Sequence, residues 1–168
     1  LLASLTAAGW GLEQIILLEA GPEPELARKT RPADLRWQGR EVEFGTSGKD
    51  SFLAAVADAT AIINVPFLKT HHLAVMTCCL KNLSHGLIRH PARFHARGCD
   101  PAIGEIVSRP EIRSKLRLNI VNCLRVVFER GLEVREPGLH TVGTLLFGVD
   151  PVACDATGYA LLNEVRSL

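Results

Sequence analysis

Short apolar runs separated by polar and turn-forming residues give this chain an alternating pattern. Runs that are short and rich in β-branched residues predict strands. The predicted strands cover residues 15–18, 41–44, 61–65, 116–121 and 145–149. Helices are predicted at residues 1–8, 52–58, 73–83, 101–107 and 111–115, with a last helix from 151 onward. Alternating strands and helices indicate a single α/β domain over residues 1–168, with a mostly parallel sheet and helices on both faces.

Two of the predicted helices begin with the same pair of residues, an aspartate followed by a proline. Asp100-Pro101 and Asp150-Pro151 each place a carboxylate at the N-cap and a proline in the first turn, where its missing N–H is not needed. In the last helix Asp155 falls within the first turns. The residues expected to face the core from that helix are Val152, Ala156, Tyr159 or Ala160, and Val165.

The chain is expected to be organised around residues 61–82, AIINVPFLKTHHLAVMTCCLKN. Pro66 ends the predicted strand, because proline has no N–H to donate to a neighbouring strand. Lys69 and His71 follow directly, and the next segment has apolar residues at helical spacing and carries Lys81. Strand ends that open onto a helix are where α/β sheets place ligand-binding groups. These cations therefore predict a site for a small anion.

Composition narrows the classes of function. The chain is 47% hydrophobic and 22% charged, which is enough apolar material for a buried core. A net charge of +1 provides no basic field for nucleic acid, and no apolar run reaches the roughly 18 residues that span a bilayer. No signal-peptide pattern is present, so we expect a cytoplasmic protein. The chain begins Leu1-Leu2 instead of with Met, so we expect a truncated start that leaves out an N-terminal strand and leaves an upstream signal open.

The five cysteines indicate reduced thiols. An odd number that includes the adjacent pair Cys78-Cys79 is not typical of a secreted disulfide framework. The sequence contains no C-x-x-C spacing, so this chain has no motif for a zinc ribbon or an iron–sulfur cluster. We expect buried, reduced thiols in the core.

Two loops contain residue types that bind ligands in other proteins. Residues 45–51, GTSGKDS, resemble the phosphate-binding loop of the ATP-pyrophosphatase (PP-loop) family, although one glycine of that motif is missing, and Glu43 and Asp50 break the Walker pattern. The favoured interpretation is a turn before a helix capped by Asp50 or Ser51. Residues 84–98 hold six basic or imidazole side chains, which favours a functional loop over a hydrated surface loop.

Two separated motifs carry a resemblance to a known family. The first holds Asn64, Pro66, Lys69, Thr70, His71, Thr77, Lys81 and Asn82, with His95 in the next loop, and the second holds Gly148, Asp150, Pro151, Val152, Ala153 and Asp155. In this order they resemble the signature of the domain-of-unknown-function family 362. The resemblance spans about residues 59–162. Asn122 stands where the family commonly has an aspartate, and the usual N-terminal strand motif is absent.

The residues of these motifs suit a ligand site. The expected catalytic residues are Lys69, His71, Lys81 and Asp155, and the expected ligand-binding residues are Thr77, Asn82 and His95. The lysines suit a carboxylate or phosphate. Alternatively, His71, His95 and Asp155 form a mixed imidazole–carboxylate set for a divalent metal. Some members of the family carry an iron–sulfur domain, so the resemblance also implies an iron–sulfur protein as a partner.

Three functions stay open at this point. The favoured one is an enzyme-like or ligand-binding site for a small anion or divalent metal, tied to a redox partner. The second is a PP-loop-like nucleotide-binding enzyme that uses residues 47–51, and the third is a non-catalytic accessory domain that docks on an iron–sulfur protein. The first is favoured because Lys69 and Lys81 both lie beside apolar runs, where burial of an ammonium group is expensive.

Overall fold

The computed structural model describes residues 1–18, 36–129 and 138–167. Its strands are β1 (Val42–Phe44), β2 (Gly48–Asp50), β3 (Ile62–Asn64), β4 (Phe67–His71), β5 (Val75–Thr77), β6 (Leu116–Val127) and β7 (Leu139–Gly148). Its α-helices are α1 (Leu2–Ala7), α2 (Ala54–Asp58), α3 (Cys79–His85), α4 (Ala102–Val107), α5 (Pro110–Arg113) and α6 (Pro151–Arg166). Short 3-10 helices cover Leu12–Gln14, Pro91–Phe94 and Ala96–Cys99.

The long strand β6 is the centre of a five-stranded sheet. Strands β3 and β4 both run parallel to it, and β7 pairs with it in antiparallel orientation. Strand β5 adds an antiparallel edge to β4, while β1 and β2 form a separate hairpin. The predicted α/β class is confirmed, and the sheet is mixed.

Pro66 interrupts one edge of the sheet without ending it. Ile62 of β3 lies opposite Leu116, and Phe67 of β4 lies opposite Asn122 further along β6. The Pro66 carbonyl still accepts a hydrogen bond of 2.8 Å from the Asn122 N–H, so only the hydrogen bond that the proline N–H would have donated is missing from the strand pairing. Lys69 therefore lies inside a strand instead of beyond a strand end, and Asn122 lies in mid-strand.

The helix predicted over residues 73–83 is wrong in its first half. Strand β5 occupies Val75–Thr77, and α3 begins only at Cys79. The β4–β5 turn covers residues 72–74, and Val75, the first residue of β5, has a left-handed φ of 66°, which is unusual for a β-branched residue. Apolar spacing alone does not distinguish a short hairpin from a helix here, because both repeat apolar positions at short intervals.

Several smaller expectations have mixed outcomes. Asp150 caps α6, with its Oδ1 accepting from Val152 N at 2.8 Å. Asp100 does not cap α4, whose N-cap is Pro101 without a side-chain bond. Helix α2 begins after Leu53 and not after Asp50 or Ser51. Residues 15–18 form no strand beyond a single bridge at Ile16. Of residues 21–40 only 36–40 are described, and there Trp37 packs against the core.

Two groups of buried side chains form the core. In the first, Phe44 contacts Phe52 and Phe94 edge to face, with ring centroids 5.5 and 5.7 Å apart. The second packs α6 onto the sheet through Leu162 and Cys154 and consists of Leu68, Cys78, Cys79, Val121, Cys123, Val126, Cys154 and Leu162. Gly158 brings α6 close to β4, since a Cβ there would lie 3.2 Å from Leu68 Cδ1.

The inward side of α6 differs from the predicted stripe. Its buried residues are Cys154, Asp155, Gly158, Leu162 and Val165, so Val165 is confirmed. Val152 and Tyr159 are exposed instead. The reason is that small residues and a carboxylate, which carry no apolar signal, face the sheet.

One face of the sheet leaves large apolar side chains exposed. Phe67 and Leu145 lie on either side of Asn122, and Phe147 lies opposite Ile120. Phe67 is 56% exposed and Phe147 is 63% exposed, so the strand predicted to be buried at 145–149 is not buried. We refer to Phe67, Leu145 and Phe147 as the apolar face.

The glycine-rich segment 45–51 contains the turn between β1 and β2 and then β2 itself, so it does not lead directly from a strand into a helix. Its N–H donors are already occupied by a carboxylate of the same chain: Glu105 of α4 accepts from Thr46 N at 2.8 Å and from Ser47 N at 2.9 Å. The Thr46 hydroxyl adds a bond of 3.0 Å. This loop therefore does bind an anion, but the anion is the Glu105 carboxylate, so the N–H groups of Thr46 and Ser47 are not available to a nucleotide phosphate in the manner of a PP-loop.

The pKa of Glu105 falls from 4.5 to about 2. The causes are the Ser47 hydroxyl, which lies close without meeting hydrogen-bond geometry, the Thr46 N–H and hydroxyl, and the Ser47 N–H, against a smaller opposing effect of burial. Because the folded-state pKa is depressed, the charged carboxylate stabilises the fold fully above pH 4.5, and this contribution disappears as the pH falls towards 2.

We therefore expect Glu105→Gln to lower the melting temperature at pH 7 and to reduce the loss of stability on acidification. Thermal unfolding between pH 7 and pH 2 measures both effects. Glu164→Gln, at an exposed position near the end of α6, is the matched control. An unchanged acid dependence in Glu105→Gln would show that the loop does not depend on this carboxylate.

Candidate functional site

Helix α3 positions the candidate site, and a carboxylate from α6 holds its first turn. Asp155 Oδ1 accepts from Cys79 N at 2.7 Å and Oδ2 accepts from Leu80 N at 3.2 Å. The first N–H groups of a helix have no partners within it, and α3 has no side-chain cap of its own at Cys78. Asp155 therefore acts as a cap supplied from 76 residues along the chain.

Burial has the largest effect on Asp155 and raises its pKa. Hydrogen bonds from Cys78, Leu80 and Cys79 oppose this shift without cancelling it. The neighbouring thiol of Cys79 has its pKa raised, by a hydrogen bond with Cys78, by burial and by the nearby carboxylate. The Cys79 thiol therefore stays protonated at neutral pH, so this group is a structural contact and not a reactive thiolate.

Three asparagine amides connect α3 to the sheet. Asn82 Nδ2 donates to Asn64 Oδ1 at 2.8 Å, and Asn64 Nδ2 donates to Asn119 Oδ1 at 2.9 Å and to the Cys79 carbonyl at 3.2 Å. Asn119 in turn donates to the Gly148 carbonyl at 3.1 Å. Asn64 and Asn119 are buried, and both the amide oxygen and the amide nitrogen of Asn64 have hydrogen-bond partners.

Beyond these anchors, lysine and histidine side chains meet beside α3. We call this group the cationic cluster, and it consists of Lys69, His71, His72, Lys81, His85 and His95. Lys81 Nζ lies 3.3 Å from His95 Nε2. The His71 ring stacks on His95 with ring centroids 5.6 Å apart, and the ring of His85 meets that of His95 edge to face at 4.7 Å.

The hydrogen-bond partners determine the tautomers. His95 Nδ1 lies 3.0 Å from the Pro91 carbonyl, which can only accept, so Nδ1 carries the proton and Nε2 offers a lone pair to Lys81. His71 Nδ1 accepts from Leu73 N and from Ala74 N, each at 3.1 Å. The proton of neutral His71 is therefore on Nε2, which is available as a donor to a ligand.

Burial and repulsion lower the pKa values of three members of the cluster: His71, Lys81 and His85. Burial, followed by the charge of Lys81, lowers the pKa of His71 to about 4. Burial also lowers the pKa of Lys81, and Lys69 lowers it further, while Cys99 opposes the shift. His71 is therefore neutral at pH 7.

The structure brings four of the predicted site residues together: Lys69, His71, Lys81 and His95. Thr77 is paired with Lys69 across β4 and β5, and Asn82 follows Lys81 on α3.

The structure places Asp155 at the start of α3, with both oxygens engaged by Cys79 and Leu80. Lys69 is close enough to Lys81 to lower its pKa. Within the predicted metal set, His71 and His95 thus stack on each other, while Asp155 makes its bonds elsewhere.

Sequence reasoning did not select His85 and Cys99. His85 comes four residues after Lys81, so both project from one face of α3, and this spacing could have been noticed. Cys99 has no such signal. Of the basic groups in residues 84–98, His85 and His95 join the cluster, His90 bonds to Asp50 at 3.0 Å, and the three arginines are exposed.

The family model described as "Domain of unknown function (DUF362)" matches residues 27–160. The chain belongs to this family. No curated protein and no solved structure matches the DUF362 chain. Among its described helices, none combines the length and the apolar character needed to cross a membrane.

Both motifs of the family signature contain residues that hold α3 in place by hydrogen bonds. Asn64 and Asn82 belong to the first motif and Asp155 to the second, and in this DUF362 domain all three hold α3 through hydrogen bonds. The motifs therefore encode a scaffold as well as the lysines and histidines of the cluster.

We expect Asp155→Asn to destabilise the fold by about 1–3 kcal/mol, because a neutral amide keeps one acceptor but loses the charged hydrogen bond to the first turn of α3. Urea unfolding measures the change, with Glu164→Gln as the exposed control. If Asp155→Asn left stability unchanged and instead abolished ligand binding, the carboxylate would belong to the functional site and not to the scaffold.

Proposed function

We propose that this DUF362 domain binds a small anion, a carboxylate or a phosphate, through Lys69, Lys81 and His71. The proposal rests on two half-buried lysines that have no acidic partner. Among the described residues, no carboxylate forms an ion pair with Lys69 or Lys81. Lys81 instead faces the lone pair of a neutral imidazole at 3.3 Å.

Uncompensated cations in a partly desolvated site are costly. Lys69 and Lys81 each disfavour the charge of the other, and both disfavour a charge on His71. An anion between them would replace these repulsions by attraction, with the lysines donating to its oxygens. The N–H of His71 Nε2 is a third donor, and its direction is fixed by the two backbone bonds at Nδ1.

The test uses inorganic phosphate and acetate as probes, titrated into the purified protein by calorimetry at low salt. We expect binding that weakens as sodium chloride is added, since the interaction is electrostatic. Lys69→Met and Lys81→Met should each reduce the affinity by about tenfold or more, because each removes a charge-assisted hydrogen bond. Neither substitution should lower the melting temperature, because each removes a repulsive charge.

Lys49→Met, on the exposed side of the β1–β2 hairpin, is the control and should bind as the unmodified protein does. Binding that is equal in the control and in both lysine variants would overturn the proposal. Loss of folding in the Lys69 and Lys81 variants would show that these lysines are structural.

A docking domain for an iron–sulfur protein is the second candidate, and the apolar face favours it. Phe67, Leu145 and Phe147 are neighbours on one side of the sheet, and contiguous exposed apolar side chains of this kind are typical of protein-binding surfaces. We expect an iron–sulfur protein to co-purify with the unmodified domain and to be lost with Phe147→Asp. Val149→Asp, also exposed, is the control. Equal recovery with both variants would exclude this face as the docking surface.

A further inference from the structure

Three ligand-type side chains converge behind the cationic cluster. One ligand atom from each of His85, His95 and Cys99 lies within 4.8 Å of the other two. The three residues come from the last turn of α3, from the junction of the two 3-10 helices and from the end of the second one. His85 and Cys99 are buried and His95 is half-buried, so the group lies below the surface.

His85 brings an unused nitrogen into this group. The residue is only 9% exposed, and its Nε2 has no hydrogen-bond partner in the part of the chain that the structure describes. The Phe94 carbonyl is close enough to favour a charged ring, but no atom meets hydrogen-bond geometry at Nε2. A buried polar atom without a partner is uncommon in folded proteins and indicates an absent ligand or a special role.

Both imidazoles are already oriented in the way that metal-binding histidines are. His95 Nδ1 donates to the Pro91 carbonyl at 3.0 Å, and His85 Nδ1 lies 3.0 Å from Ser84 Oγ. The Ser84 hydroxyl directs its own proton to the Leu80 or Lys81 carbonyl, so it accepts from His85. In each ring Nδ1 is held by a protein oxygen and Nε2 carries the lone pair that a metal would use, as is usual for histidines bound to a metal, although at His95 this lone pair already faces Lys81.

We propose that His85, His95 and Cys99 form a binding site for a borderline-soft divalent metal ion of the zinc type. Two imidazole nitrogens and a thiolate suit such an ion and leave a fourth position open. Bonds of about 2.0–2.3 Å would hold the ligand atoms about 3.3–3.8 Å apart, so the group needs to contract by about 1.5 Å at most. Binding releases the Cys99 thiol proton to solvent, and the sulfur forms the metal bond.

Lys81 is the competitor of the metal at this site. Its ammonium group uses the same His95 Nε2 lone pair that the metal would bind. Removing it should therefore favour the metal, while removing Cys99 should abolish the thiolate bond and removing His85 should weaken binding. This makes the site separable from the proposed anion function, which needs Lys81 and does not need Cys99.

A second group, Cys78, Cys79 and Asp155, also brings three ligand atoms together within the described residues. Both oxygens of Asp155 already accept hydrogen bonds from the backbone of α3. A metal there would have to break the cap that holds the helix. The histidine-containing group requires no such loss.

The experiment strips the purified protein with chelator and titrates it with zinc chloride, and separately with cobalt chloride. We expect roughly one equivalent to bind and cobalt to give a thiolate charge-transfer band with tetrahedral d–d absorption. Cys99→Ala should abolish the band, and His85→Gln should weaken zinc binding by about 100-fold. Lys81→Met should bind zinc at least as tightly as the unmodified protein, although it loses phosphate binding.

His72→Gln, an exposed histidine of the same cluster, and Cys123→Ala, a buried thiol of the other core, are the matched controls and should keep the band. Circular dichroism of every variant separates lost binding from lost folding. If Cys99→Ala fails to fold, zinc-induced shifts of the His85 and His95 ring nitrogens in the unmodified protein provide the measurement instead. Absence of binding in the unmodified protein, or a band that survives Cys99→Ala and disappears in Cys78→Ala, would overturn the proposal.

Discussion

The hydrogen bonds between the Asp155 carboxylate and the first turn of α3 are the constraint on which the site depends. A helix of seven residues is too short to be stable alone, so α3 forms because other parts of the chain satisfy its ends. Asp155 bonds to the N–H groups of Cys79 and Leu80 and ties α3 to α6. Its raised pKa indicates that burial costs the carboxylate more than these bonds return, so apolar packing around α6 must stabilise the arrangement.

The polar groups at the start of α3 have hydrogen-bond partners, whereas some of those along its Lys81 side lack partners among the described residues. At its start, the Asp155 oxygens have backbone partners, and Asn64 has partners for both of its amide groups, so this end is a satisfied scaffold. Along the side that carries Lys81 and His85, the reverse holds. Among the described residues, Lys81 has no carboxylate partner and His85 Nε2 has no hydrogen-bond partner. A ligand site of this kind has polar groups that lack partners and are held in place by a rigid scaffold before the ligand binds.

The sequence predicts the parts of this arrangement that depend on local signals. The apolar β-branched run at 62–64 and the Asp150 cap are local patterns, and both are confirmed. The two motifs also identified the lysines of the cluster. The role of Asp155 was beyond such reasoning, because nothing in a helical residue shows that it will cap another helix 76 positions earlier. Likewise, β5 begins at Val75, whose backbone is left-handed, and β-branched residues rarely adopt this conformation.

The hydrogen bond between Lys81 and His95 connects the two proposed ligands physically. The His95 ring has one free lone pair, because its Nδ1 is occupied by the Pro91 carbonyl. A metal that takes this lone pair displaces the ammonium group of Lys81, which then turns to other acceptors. An anion bound by Lys69 and Lys81 draws the same ammonium away from His95 and leaves the lone pair open. Each ligand thus removes the competitor of the other, so the two should bind with positive coupling, and by thermodynamic linkage the effect must be equal in both directions.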